Sequence, residues 1–270
     1  SVTNVNFNSA FALFCVVSRS SSSPHLMFTR LGALGRAIAN SGDLSVPSEQ
    51  LLLRFGGSMS RWALASDHAL GGHSECALDE ASSDEHERDG ALLFTGSTSL
   101  DLDDSRKSTE RNEDNRAVSK TGWCAMQTEV AAEGWELEEF HGLMLRVRHS
   151  GERSFVLNLR SEGVLGGTER YDLYQAHLPP PVRPGEWCTL RIPFGAFQLT
   201  WRGYVQQFQP AINRNRLSHL GLLVADEAGG HFAIELGSLA AFRVDAASNE
   251  PWVQDVIALN ELKGYPMHDD

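Results

Sequence analysis

Between Ser66 and Cys76 the chain reads SDHALGGHSEC, and Asp67, His68, His73, Glu75 and Cys76 all carry atoms that can ligate a metal. Their spacing matches no common zinc pattern, and no second Cys or His pair follows nearby. Side chains alternate faces along a hairpin, so these five cannot all converge on one ion. Gly71-Gly72 reads instead as a turn that needs positive φ. Ser74, in G-H-S-E-C, lacks the second glycine of a nucleophile elbow and follows a turn rather than joining a strand to a helix. Glu138-Glu139 and Asp103-Asp104 are adjacent carboxylates, whereas glycosidase pairs meet across a cleft. The R-L-G-A-L-G-R of 30–36 has no strand before it, so it is not a phosphate loop. No catalytic, cofactor-binding or metal-ligating set emerges, and the expectation is a non-enzyme that needs no cofactor.

What remains is binding. Tyr171, Tyr174, Trp187, Trp201 and Tyr204 occupy or flank strand-like segments, where an open sheet face would present them. Exposed aromatics on a sheet stack sugars or anchor protein partners; the same residues also serve as half-buried packing. Tyr174, Trp187, Trp201 and Tyr204, with Arg202 as a charged neighbour, are the candidate partner-binding set. The loop after Pro193 is the expected working surface.

The elements that must position these residues are strands. Candidate strands lie at 61–66, 74–79, 90–99, 122–131, 142–149, 153–161, 170–178, 187–193, 218–225 and 231–244. Leu143, Leu145 and Val147 oppose Met144, Arg146 and Arg148, while Phe155, Leu157 and Leu159 oppose Ser154, Val156 and Asn158. Many short alternating strands predict an antiparallel sandwich or barrel. Helix is expected only at 48–55 and around 136–140. Two charged stretches, EASSDEHERD at 80–89 and DLDDSRKSTERNEDNRAVSKT at 101–121, bury too little surface to offset ordering entropy and read as solvated loops, or as an acidic docking loop for a basic partner.

The chain has 270 residues, 41% of them hydrophobic, enough for one large β domain with extensions or two small domains. Its net charge of −12 argues against non-specific binding to nucleic acid or anionic lipid. Cys15, Cys76, Cys124 and Cys188 are scattered without a C-x-x-C pair, which suggests a reducing compartment and buried or free thiols. No apolar run reaches the roughly 18 residues of a spanning helix. Residues 1–61 carry Arg19, Arg30, Arg36, Arg54 and Arg61 against Asp43 and Glu49. From Met27 onward the stretch MFTRLGALGRAIANSG is amphipathic, Arg-bearing and acid-poor, like a mitochondrial transit peptide; a plain disordered leader has similar composition. The segment before Met27 is compatible with translated upstream sequence or part of a bipartite plastid leader. The expected division is leader and extension at 1–55, a β-sandwich domain at 56–246 and a tail at 247–270.

Seven stretches occur in order: S-D-H-A-L-G-G-H-S-E (66–75), G-A-L-L-F-T-G (90–96), G-W-C-A-M (122–126), G-L-M-L-R-V-R (142–148), W-C-T-L-R-I-P-F-G-A-F (187–197), R-G (202–203) and L-G-L-L-V-A-D (220–226). Over about residues 61–244 the chain resembles the complex I intermediate-associated protein (30 kDa) family. The resemblance implies an all-β, antiparallel jelly-roll sandwich of the galactose-binding-domain type. It also implies a non-enzymatic assembly factor for mitochondrial NADH:ubiquinone oxidoreductase, at the matrix face of the inner membrane and at most peripherally attached. Its implied partners are membrane-arm intermediates and other assembly factors, with no nucleic acid. Alternatives are a carbohydrate-binding module, a plastid relative in photosystem biogenesis, or a retained accessory subunit. The motif residues, expected to be mainly structural, are Ser66, Asp67, Gly71, Gly72, Ser74, Gly96, Gly122, Cys124, Trp187, Pro193, Phe194, Phe197, Gly203, Asp226 and Phe232. Two departures stand out. The family's F-x-G-x-L-S reads F-T-G-S-T-S here, and its D-x-x-x-G-P-F reads D-E-A-G-G-H-F at 226–232, without the proline.

Overall fold

A computed structural model describes residues 48–81, 90–101, 121–130, 134–162, 171–201, 204–245 and 247–265. The leader and most of the two charged stretches lie outside these residues. Two antiparallel sheets face each other. The first contains β3 (Glu75–Ala81), β4 (Ala91–Thr98), β13 (Gly230–Phe242), β6 (Gly142–His149) and β9 (Cys188–Pro193) in that order. A further strand, β1 (Glu49–Arg54), pairs with the second half of the long β13, beyond the stretch that β4 occupies. The second sheet runs β11 (Tyr204–Val205), β10 (Gln198–Trp201), β8 (Tyr171–His177), β7 (Phe155–Glu162), β12 (Leu217–Val224), β5 (Cys124–Glu129) and β2 (Ala63–Ser66).

The alternation seen in the sequence sets the layers. Leu143, Leu145 and Val147 of one sheet pack against Phe155, Leu157 and Leu159 of the other in a single apolar core with Phe94, Met126, Tyr174, Leu220, Leu222 and Ile234. Two packed sheets with one face each turned inward form a β-sandwich.

Four expectations need correction. Residues 49–54 form a strand, not a helix: Leu51-Leu52-Leu53 is too short an apolar run to fix its own period, and β13 offers an unfilled ladder edge. Around 136–140 there is one turn, closed by the Phe140 N–H on Leu137 O at 3.1 Å, with both side chains buried. β10 and β11 continue beyond Pro193, where no strands were expected. The last element is a helix, α1 (Pro251–Leu262), begun by a proline in the first turn, where its missing N–H costs nothing.

Helix α1 lies across the outer face of the first sheet. Val253 and Val256 pack on Met144, Phe242 and Val244. Asn260 is fully buried; its Oδ1 accepts from the Gly195 N–H at 2.7 Å and its Nδ2 donates to His141 O at 2.9 Å. Beyond the helix, the Tyr265 hydroxyl accepts from the Ile212 N–H at 2.6 Å and its ring lies under Arg214.

Candidate functional site

The Ser66–Cys76 stretch is a clasp. Asp67 opens a short 3-10 turn, Asp67–Leu70, whose Ser66 cap accepts from the His68 N–H and which ends at Gly71 with φ of +87°. The Asp67 carboxylate is fully buried. Its Oδ1 accepts from the Ser74 N–H at 2.9 Å; its Oδ2 accepts from Ser74 Oγ at 2.7 Å and the Gly122 N–H at 2.5 Å. Ser74 Oγ in turn accepts from the Ser99 N–H at 3.0 Å. Gly72 needs no left-handed backbone, but a Cβ there would sit 2.3 Å from Asp67 Cγ. His68, His73 and Glu75 project to solvent while Asp67 and Cys76 face inward, so the ligand-capable residues diverge. Among the described residues no three such side chains gather as a metal site.

A part-buried ion pair lies close by, against Thr98, one residue before the Ser99 that joins the clasp. Arg153 Nε and Nη2 meet Asp226 Oδ2 and Oδ1 at 2.8 and 2.6 Å, and the Ser154 N–H adds a third donor. Burial works to raise the Asp226 carboxyl, but Arg153 and the Ser154 N–H outweigh it and hold the group below the usual carboxylate range. Arg153 also reaches Thr98 Oγ1 and the carbonyls of Ala228 and Gly230.

The expected partner-binding residues separate. Tyr174 is wholly buried in the core, with its hydroxyl donating to Ala211 O at 3.3 Å; it is packing, not an anchor. Inward placement follows from its position one residue out of phase with Leu173 and Gln175. Trp187 is half-buried, with the guanidinium carbons of Arg148 and Arg146 5.0 and 5.4 Å from its ring centre. The turn directly after Pro193 is also covered: Phe194 and Phe197 are core, and Gly195 presses against α1. Arg202 and Gly203 lie outside the described residues, as does the side chain of Trp201, whose backbone pairs with Tyr204.

Tyr204 stays a candidate, and the structure adds neighbours. Tyr204, Val205 and Phe208 are 56, 55 and 66% exposed along the edge of the second sheet. Gln209 holds this segment in place: its Oε1 accepts from the Leu199 N–H at 2.8 Å and its Nε2 donates to Leu199 O at 2.9 Å. Val205 and Phe208 were not foreseen; the V-Q-Q-F spacing shows no strand period to mark them.

The outer face of the second sheet carries a transverse polar row. Register places Gln127, Gly221, Asn158, Gln175 and Gln198 side by side on β5, β12, β7, β8 and β10. Gln175 Nε2 donates to Asn158 Oδ1 at 2.9 Å, while Asn158 Nδ2 and Gln127 Oε1 are buried without a hydrogen-bond partner. Gly221 leaves the gap between them; a Cβ there would lie 3.5 Å from the Cβ of each. In the adjacent row, burial and the nearby Arg160 push His219 down to about 4. Glu129, 3.8 Å from His219, pulls the other way but is solvent-exposed and screened.

A family model described as Complex I intermediate-associated protein 30 matches residues 53–236, which span most of both sheets. The chain belongs to the Complex I intermediate-associated protein 30 family. "Complex I intermediate-associated protein 30, mitochondrial" of Mus musculus is 26% identical over 201 residues, covering 71% of this chain and 55% of its own. The protein of the same name from Drosophila melanogaster is 28% identical over 187 residues, covering 66% of this chain and 57% of its own. The chain thus spans little more than half the length of these curated relatives. Among solved structures, a family 11 carbohydrate-binding module of a Clostridium thermocellum cellulosomal cellulase superposes with a TM-score of 0.50 at 12% identity, covering 74% of this chain and 97% of the module. That likeness is one of β-sandwich fold.

In this member of the Complex I intermediate-associated protein 30 family, most described motif residues have a physical task. Ser66, Asp67, Gly72, Ser74 and Gly122 build the clasp. Gly96 lets two strands and a ring close up, since a Cβ would sit 2.2 Å from Glu75 O and 2.7 Å from Phe232 Cζ. Phe232 packs on Phe94 with ring centres 5.0 Å apart. Pro193 ends β9 opposite Gly142, Phe194 packs on Tyr265 just past the C-terminal helix, Phe197 fills the core, and Asp226 anchors Arg153.

Proposed function

We propose that this chain is a non-catalytic assembly factor for mitochondrial respiratory complex I. In this reading it binds membrane-arm intermediates and other assembly proteins at the matrix face of the inner membrane. The observation that carries the reading is the family match over residues 53–236, together with relatives named as mitochondrial complex I intermediate-associated proteins. The named motif residues maintain the sandwich, which leaves recognition to its surface. The exposed Tyr204–Phe208 edge supplies an apolar docking patch of the kind that anchors protein partners. Depletion followed by native-gel separation of respiratory complexes tests the role. Loss of mature complex I with accumulated subassemblies is the expected result, and unaltered complex I refutes it.

A second reading, carbohydrate binding, is favoured by one observation: the amide row with its unpartnered Gln127 Oε1 and Asn158 Nδ2. Side-chain amides both donate and accept, as sugar hydroxyls do. Titration with soluble β-glucan oligosaccharides should shift the Gln127 and Asn158 side-chain amide resonances in NMR spectra if this reading holds. Unmoved resonances at millimolar sugar would end it.

A further inference from the structure

Two of the four cysteines, far apart in sequence, meet where the sheets close on one another. Cys76 lies on β3, at the edge of the first sheet, and Cys124 begins β5 in the second. Cys76 Sγ donates to Ala65 O at 3.7 Å, next to Ser66, the residue that Cys124 faces across β2 and β5, and Cys76 packs against the core cluster that holds Cys124. Both are reduced. Their meeting is built in by the clasp. Ser74, two residues before Cys76, and Gly122, two residues before Cys124, both donate to the carboxylate of Asp67. One buried group therefore sets the relative register of the two strands just upstream of the thiols.

The sulfurs differ in access. Cys124 is fully buried, whereas Cys76 is half-buried and open on one side. Their acidities differ in the same sense. Interaction with the Cys124 thiol, with help from the Ala125 N–H and against burial and Asp67, lowers Cys76 below an ordinary thiol; the same interaction and burial raise Cys124. A more acidic, more accessible thiol beside a buried one is the arrangement of an attacking and a resolving cysteine.

We infer that Cys76 and Cys124 form a reversible dithiol–disulfide site, oxidised by hydroperoxides, that staples one sheet to the other. The Cys76 thiolate attacks the peroxide oxygen, the O–O bond breaks, and Cys76 becomes a sulfenic acid as hydroxide leaves with a proton to form water. Cys124 sulfur then attacks Cys76 sulfur. The S–O bond breaks, and the departing hydroxide takes the Cys124 proton as a second water. Two thiols and one peroxide give one disulfide and two waters, and a dithiol reductant reverses the change. Cys188 provides an internal comparison: it is half-buried on β9, at the opposite edge of the first sheet, and burial raises its thiol.

The test uses the full chain treated with equimolar hydrogen peroxide, alkylated, digested without reduction and mapped by mass spectrometry. A Cys76–Cys124 linked peptide should dominate and vanish on dithiothreitol treatment, and the oxidised protein should unfold at a higher urea concentration. In Cys124→Ser, dimedone should trap a sulfenic acid at Cys76, and this readout needs no disulfide. The inference is overturned if both residues stay fully alkylated while Cys188 oxidises. It is also overturned if the link forms only in urea-unfolded protein or lowers the urea midpoint.

Discussion

At the scale of single residues, three ionisable groups held inside the fold, Asp67, Asp226 and His219, make stability depend on substitution or pH in a definite direction. Asp67→Ala removes the acceptor for the Ser74 and Gly122 N–H groups and for Ser74 Oγ, all buried. Stranding donors that were bonded to a charged acceptor should destabilise the fold by about 3 kcal/mol, read as a lowered urea midpoint. Acidification should act at Asp226 and His219. Asp226 lies below its ordinary value when folded, so its contribution is present at neutral pH and is lost as pH falls through that lowered value. His219 sits at about 4 when folded against an ordinary 6.5. Between those values the unfolded chain binds a proton that the folded chain refuses, so stability falls as pH drops from 6.5 toward 4. Each pH unit in that window costs about 1.4 kcal/mol at full effect. Burial lowers His149 too, so His219→Gln should flatten the urea-midpoint slope between pH 6.5 and 5 only in part.

At the scale of elements, what was legible followed from period. β6 and β7 alternate cleanly and emerged with the expected faces because one side of each lines the apolar core while the other carries Arg146, Arg148, Asn158 and Arg160. Helix α1 was not legible: its buried stripe is only Val253, Val256 and Asn260, and a buried asparagine reads as a surface residue until its two partners are known. β10 and β11 escaped for a different reason, since two- and four-residue strands carry too little alternation to register. Of the candidate site, the Asp67 motif could be named but not its task, because its acceptor role joins residues 67, 74 and 122 only in space. The docking of α1 makes a sharp demand on Gly195. A Cβ there would lie 2.1 Å from Leu259 O, backbone that cannot swing aside. Gly195→Ala should therefore displace α1 and cost about 2 kcal/mol, with faster amide exchange in residues 251–262.

For the whole molecule, the separation of tasks makes the functional proposal testable without confusing binding with folding. Interior and clasp residues hold two sheets and a helix together, so variants there report on stability first. The Tyr204–Phe208 edge is different: both side chains are mostly exposed, and the backbone that presents them is held by Gln209 rather than by their rings. Replacing both with serine should leave the urea midpoint within about 0.5 kcal/mol of the parent, as is usual for exposed positions. If this edge docks partners, the same double variant should fail to co-migrate with complex I intermediates on native gels and fail to restore complex I in depleted cells. A variant that folds normally and restores assembly would move the docking surface elsewhere on the sandwich. The amide row at Gln127, Asn158 and Gln175 would then be the next place to alter, with the urea midpoint measured alongside because Gln127 and Asn158 are buried.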